Sequence, residues 1–281
     1  VSHNGVSNRL GYVYLPGFYG SMDKKPGEEG FRSAAVDVAR LIADFNANDV
    51  AGMVLDLRGD GGGSLREAVM LSALFVPGGP VVQIRDVRSV GCLPIPPGNP
   101  VAFRRPMAVL VDRASAPASE IVAGHLQDTG RAVVLGDGRT HGKGTVQTVF
   151  GMGPSQYGSM KITTARFYRV DGRSTQLEGV EADIRLPSLL DSLDIGEDKL
   201  PNALPWTRVG GAPHPRVWNL NSYAGALKAL SDERLKDNPK YAAHLKLVKL
   251  FHDNAEAKTV SLERTKRLAQ MREEREMRKA E

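Results

Sequence analysis

Three short apolar runs constrain this chain more than anything else in it: residues 50–57, interrupted only by Asp56, 107–111 and 132–135. A run with no polar alternation suits a strand covered on both faces, as in a parallel sheet. Between and around them lie segments with helical spacing. Residues 31–50 carry Ala35, Val38, Leu41, Ile42 and Phe45 at such intervals, and 65–75 and 118–128 behave likewise. Residues 11–16 and 80–87 read as further strands, while 160–170 alternates Ile162, Ala165 and Phe167 with polar residues, as a half-exposed strand does. Strands interleaved with helices predict a mixed α/β fold with some parallel pairing, its sheet flanked by helices.

Composition shifts beyond this body. Residues 1–190 form the expected core domain, and 191–220, rich in Pro, Gly and Asn, reads as a linker or wrapped loop. From 221 to 281 the pattern is helical, with Leu227, Leu230, Leu235, Tyr241, His244, Leu245, Val248 and Phe251 along it. The stretch 253–281 holds eight Lys/Arg, Lys258 among them, against seven Asp/Glu, which suits a solvated helix with i,i+4 pairs. The net charge of +5 is therefore not gathered into a stripe, and a nucleic-acid partner is not expected. With a single cysteine, Cys92, neither a disulfide framework nor a multi-cysteine zinc site is available. Six histidines without ligand spacing give no expectation of a metal. No apolar run is long enough to span a bilayer, and residues 1–5 lack the features of a signal peptide.

Two glycine-rich turns are candidates for chemistry. Gly59-Asp60-Gly61-Gly62-Gly63-Ser64 follows a strand and precedes a helix, but Ser64 occupies the last glycine position of GxGxxG. Around Gly142-Lys143-Gly144 the phosphate-loop pattern fails at Asp137 and again at Gly144. A tight turn, a weakly supported nucleotide site and an oxyanion hole for acyl transfer all remain open for the first loop. There is no GxSxG elbow, and the SxxK match at 21–24 lies outside any expected helix start. Lys143, between two glycines, is different in kind. A desolvated lysine loses its proton near neutral pH and serves as a general base, and its natural partner is a serine at a helix N-terminus. The segment 112–120, Asp-Arg-Ala-Ser-Ala-Pro-Ala-Ser-Glu, is where such a serine is sought, although a surface lysine beside a helix cap is the commoner arrangement.

The stretches 11–19, 54–63, 111–130, 142–147, 167–176 and 179–184, in this order and spacing, resemble the C-terminal processing peptidases, or tail-specific proteases. The region 204–262 also resembles the C-terminal part of the long, Gram-negative type. That resemblance implies a serine endopeptidase with a Ser/Lys dyad and no cofactor, working in the periplasm on the C-terminal tails of unfolded or targeted proteins, with an adaptor protein as a further candidate partner. Position by position, it puts Lys143 on the general base, Gln147 on the group that orients it, and Asp128 on an acidic residue tied to activity. Gly61, Gly62 and Ala118 fall on the oxyanion hole.

At the nucleophile the pattern breaks. Glu120 sets the register, and the serine three residues before it is replaced by Pro117, which has no hydroxyl. Ser115 and Ser119 flank the gap on other bearings of the helix axis, and the loop 137–141 is one residue longer than the family's usual. Members of the family also carry a PDZ domain ahead of the strand at 11–16, where this chain has ten residues; a fragment beginning after that domain is expected. The leading expectation is thus a tail-specific protease fold with catalysis impaired or lost and tail binding retained. The alternatives are a working protease using Ser119 or Ser115 with Lys143 and, more weakly, a nucleotide-binding α/β protein.

Overall fold

The apolar runs become the centre of a parallel sheet. In the computed structural model, β3 (Leu10–Tyr14), β4 (Gly52–Asp56), β7 (Met107–Val111), β8 (Val133–Gly136) and β11 (Ile184–Arg185) pair in the order β11-β8-β7-β4-β3, every neighbouring pair parallel. The structure describes residues 2–3, 6–21, 24, 27–153, 157–257, 259 and 261–280; Met22 and Asp23 of the SxxK match, and Lys258 of the charged tail, lie outside them. Val13, Leu55, Val109 and Val134 fill the sheet's buried face. Against them pack α1 (Ala34–Ala47) through Val38 and Ile42, α2 (Leu65–Ala73) through Ala68 and Leu71, and α3 (Ala118–Asp128) through Val122 and Leu126. Serine caps start two of these helices: Ser33 Oγ accepts from Val36 N–H, and Ser64 Oγ from Glu67 N–H.

A second sheet is antiparallel, in the order β6-β5-β10-β9, from β5 (Gly79–Arg85), β6 (Val90–Ile95), β9 (Thr145–Gly151) and β10 (Ser159–Tyr168). Its outer pair, β9 and β10, extends as a two-stranded ribbon with Val149, Phe150, Met160 and Ile162 exposed. The half-exposed strand expected over 160–170 is therefore wet on both faces for much of its length. Two further two-residue strands, β1 (Ser2–His3) and β2 (Val6–Ser7), form a small antiparallel pair.

Residues 187–220 run across the body as a bonded strap. Val209 N–H donates to Gly172 O, Ala212 N–H to Val170 O, and Val217 N–H to Thr129 O. The chain then forms α4 (Ala224–Lys236), α5 (Pro239–Glu256) and α6 (Arg264–Ala280). These helices bury little: Leu247 and Ser231 are the buried residues of α5 and α4, while Leu227, Leu230 and Leu245 are exposed. Among the described residues no helix is long and apolar enough to cross a membrane.

Candidate functional site

The site forms where the ends of β4 and β7 meet the start of α3. Two loops are laced together there. Asp112, at the end of β7, accepts from the N–H groups of Gly59, Ala114 and Ser115, all at 3.0 Å. Ser115 Oγ donates to Leu57 O at 2.8 Å and accepts from Asp112 N–H at 3.0 Å. Ala116 N–H donates to Asp60 O at 2.9 Å, and Ser119 Oγ donates to the same carbonyl at 3.2 Å. Gly62 closes against this turn at φ +102°, where an added Cβ would stand 2.8 Å from both Ala116 O and Pro117 Cδ. Only glycine accommodates that φ and that approach together.

Asp60 is fully buried in the glycine loop, and its Oδ1 accepts from Gly62 N–H at 2.8 Å. Its Oδ2 has no partner among the described residues, and burial pushes the carboxyl up to about 6. Of the loop's donors, Gly59 N–H is engaged by Asp112, Gly62 N–H by Asp60 Oδ1 and Ser64 N–H by Phe18 O. The carboxyl of Asp60, buried in the loop, leaves it poorly suited to a phosphate.

Helix α3 begins at Pro117, which offers no side-chain cap, and Ala118 follows as its first residue. The first N–H groups of a helix have no acceptor within it, so Ala118 N–H is free to meet an anion in the adjoining cavity. One turn on, fully buried Glu120 reaches across to the other half of the site. It accepts from Thr140 Oγ1 at 2.6 Å, Gly142 N–H at 2.7 Å and Lys143 N–H at 3.0 Å. Burial pushes its carboxyl up to about 7, against the pull of those three donors.

Lys143 is held by its backbone on every side. Besides the Glu120 bond, its carbonyl accepts from Thr175 Oγ1 at 2.8 Å, and the next N–H, of Gly144, donates to Gln176 Oε1 at 2.8 Å. Gly142 turns the chain into this position at φ +95°. The half-buried Lys143 amine donates to Gln147 Oε1 at 3.2 Å, with Gln147 two residues into β9. Lys143 and Gln147 line a cavity of about 400 Å³ together with Gly61, Pro117, Ala118 and the apolar side chains of Leu65, Ile121, Val146 and Phe167.

Of the residues singled out by sequence, Lys143, Gln147, Gly61, Pro117 and Ala118 meet around this cavity, and Gly62 lies in its wall loop with its N–H turned to Asp60. Ser115 and Ser119 do not join them. Both are fully buried, both hydroxyls are spent on backbone carbonyls, and no hydrogen bond links either to Lys143 among the described residues. Asp128 sits at the far end of α3, roughly 15 Å along the axis, and pairs with Arg169 through bonds of 2.5 and 3.0 Å. Arg169 follows β10 directly, so Asp128 reaches the Lys143 side only through the strand it anchors. Among the described residues, no cluster of three His, Cys, Asp or Glu side chains offers a metal site.

The holding roles of Glu120, Thr175 and Gln176 went unread in the sequence, where Glu120 served only to set register. The available signal was the placement of Glu120 in the first turn of a helix with otherwise apolar neighbours, a position that needs donors from elsewhere.

Comparison with known proteins gives the same family along both halves of the chain. The profile described as "Peptidase family S41" matches residues 9–186, and that described as "C-terminal domain of tail specific protease" matches 190–281. A tail-specific protease of Haemophilus influenzae is 36% identical over 235 residues, 80% of this chain and 34% of its own length. The chloroplastic carboxyl-terminal-processing peptidase 2 of Arabidopsis thaliana is 36% identical over 192 residues, covering 66% of this chain and 36% of its own length. Among solved structures, the photosystem II D1 C-terminal processing protease is 32% identical with a TM-score of 0.53, over 63% of this chain and 42% of that one. The chain thus spans about a third of the length of these curated relatives. With its mixed α/β fold, its paired Lys143 and Gln147 and both profile matches, the chain belongs to peptidase family S41, among the tail-specific and C-terminal processing proteases.

Proposed function

We propose that this chain is the body of a tail-specific protease in which hydrolysis is lost at the nucleophile position while the site still binds the C-terminal tails of proteins. The observation that carries this reading is Pro117 in the wall of the cavity that Lys143 and Gln147 face. A proline side chain has no group that attacks a carbonyl, whereas Lys143, Gln147, Gly61 and Ala118 keep their places around the cavity. Lys143 is fixed by its backbone, Gln147 receives its amine, and Ala118 N–H stands at the helix start. Asp128 contributes as an anchor of the β10 strand end rather than as a group that meets substrate. The similarity to bacterial tail-specific proteases supports a periplasmic reading, with unfolded or targeted tails as ligands and an adaptor protein as a further partner.

The test is a pair of variants assayed on an unstructured tail substrate. Pro117→Ser puts a hydroxyl beside the Lys143 amine, which then takes its proton as the oxygen attacks the scissile carbonyl. The expected outcome is no cleavage by the natural chain and a gain on the order of 10²–10⁴-fold over background in Pro117→Ser, lost again when Lys143→Ala is added. Cleavage by the natural chain that Lys143→Ala abolishes would instead establish a working dyad through Ser119 or Ser115.

A further inference from the structure

The antiparallel sheet carries a like-charge pair. Where β5 meets β10, Arg85 stands directly opposite Arg166, so the two guanidinium groups share one face of the sheet. Like charges placed this way repel and cost stability. Phe167, next along β10, points to the other face and lines the Pro117 cavity. The arginine face is therefore separate from the site already described.

An open cleft of about 390 Å³ lies around the pair, with Arg85, Asp86, Arg166, Tyr168 and Thr207 among its lining residues. The two arginines are held differently. Arg166 is half-buried, and its Nη1 donates to Pro205 O at 3.1 Å and to Thr207 Oγ1 at 3.0 Å, so the strap fixes its fork. Thr207 Oγ1 also pairs with the Tyr168 hydroxyl at 2.9 Å. Arg85, at the exposed end of β5, makes no side-chain hydrogen bond or ion pair among the described residues. Asp86, beside it, spends Oδ1 on the N–H groups of Arg88 and Ser89 at 2.7 and 2.8 Å. One fork is thus preset and the other is free to close.

An anion between the two guanidinium groups turns their repulsion into attraction, and the planar fork of arginine matches paired oxygens. Charge decides which anion. Two arginines against one aspartate leave the cleft with one net positive charge. A phosphate monoester carries about −1.5 to −2 at pH 7 and would stand partly uncompensated beside Asp86, whereas a carboxylate carries a single charge. A nucleic acid would need a basic stripe, and the charges of this chain are not gathered into one. The geometry points to this cleft as a binding site for an acidic side chain of a partner polypeptide, its carboxylate gripped between Arg85 and Arg166. Because the cleft lies apart from the Pro117 cavity, it takes this ligand whether or not residue 117 attacks.

The experiment uses the full chain and two pentapeptides blocked at both ends, identical but for a central glutamate or glutamine. Blocking removes the terminal carboxylate, so the side chain alone is read. In an NMR titration at low salt, the Nε–Hε signals of Arg85 and Arg166 should both move, with the glutamate peptide bound about tenfold more tightly. Arg85→Gln breaks no bond of the fold and should bring the two peptides within about twofold of each other, with an unchanged circular dichroism spectrum. Arg85→Lys keeps the charge but loses the fork, and should retain a preference of about threefold. Raising the salt should shrink the preference in the natural chain. Equal binding of the two peptides, or a glutamate preference untouched by Arg85→Gln, overturns the site. Inorganic phosphate bound more tightly than the glutamate peptide overturns the carboxylate as its ligand.

Discussion

Helix α3 is anchored by a carboxyl group at each end, and the two anchors are built differently. At its start Glu120 is met by two backbone N–H groups and one hydroxyl, with no cation. At its end Asp128 is met by the guanidinium of Arg169, in a pair whose side chains are each only 8% exposed. The first arrangement fixes backbone, and so fixes where Lys143 begins. The second fixes the end of β10, one strand further from the chemistry. Pro117 stands next to the first anchor without disturbing it, because proline suits the first turn of a helix and Glu120 spends its carboxyl on the loop rather than on a cap. The side chain at 117 and the anchor that positions Lys143 are therefore structurally independent of one another.

The sharpest way to break the first end is Glu120→Ala, which strands the Thr140 hydroxyl and the N–H groups of Gly142 and Lys143 in the interior. Each buried unsatisfied group costs about 1–3 kcal/mol, so a loss of about 4 kcal/mol is expected in denaturant unfolding. In the Pro117→Ser background, the regained cleavage should vanish with it. At the other end, Asp128→Ala leaves Arg169 buried without its countercharge, for a loss of about 3–5 kcal/mol. Here the two ends should part: cleavage per folded molecule in the Pro117→Ser background should fall less than tenfold, since Lys143 keeps its own bonds. An equal collapse of activity in both would mean that the ends are not independent.

Proton linkage sharpens the comparison. Burial holds the Glu120 carboxyl up at about 7, so its contribution to stability is present in full below the unfolded value near 4.5 and is lost as the pH rises towards 7. Asp60, pushed up to about 6, acts in the same direction. His125, buried towards the C-terminal end of α3 with neither ring nitrogen bonded among the described residues, is held down to about 3 by that burial. Its sign is opposite: stability is present above pH 6.5 and is lost as the pH falls. Because these terms offset in the whole protein, the measurement is a difference. Between pH 4.5 and 7.5, Glu120→Gln should gain on the natural chain by up to about 3 kcal/mol, while His125→Leu should lose its advantage over the same rise. A flat difference curve for Glu120→Gln would place an ionised carboxylate in the loop at all these pH values.

How much of this could be read without a structure depends on where each residue's partners lie. Strand β7 and helix α3 match the expected 107–111 and 118–128 because their patterns are local: an unbroken apolar run and an apolar face at helical spacing. Strand β9 has no local signature, since 142–147 begins with two glycines around a lysine and its strand character comes from pairing with β10, some fifteen residues later. Strand β6 was missed for a similar reason: Gly91 and Pro94 break its pattern, and β5 supplies the partner. At the site, Lys143, Gln147 and the vacancy at 117 follow from register. What holds them does not, because Glu120 meets its donors 20 to 23 residues away and Gln176 meets Gly144 across 32.

The smallest expected effects distinguish the two serines from a nucleophile. Ser115 and Ser119 each donate to a buried carbonyl, Leu57 O and Asp60 O. Removing one hydroxyl leaves a carbonyl with one partner fewer, a loss of about 1 kcal/mol. Ser115→Ala should cost somewhat more than Ser119→Ala, because Ser115 also accepts from Asp112 N–H and so closes the turn that Asp112 organises. In the Pro117→Ser background both should leave cleavage within about threefold, which is the margin expected of a small shift in the wall loop and far below the loss on removing an attacking oxygen. The ordering matters more than the sizes. If Ser119→Ala or Ser115→Ala silences a cleaving chain while its unfolding midpoint hardly moves, that serine is reaching the Lys143 amine in solution, and the vacancy at Pro117 has been filled from within the same helix turn.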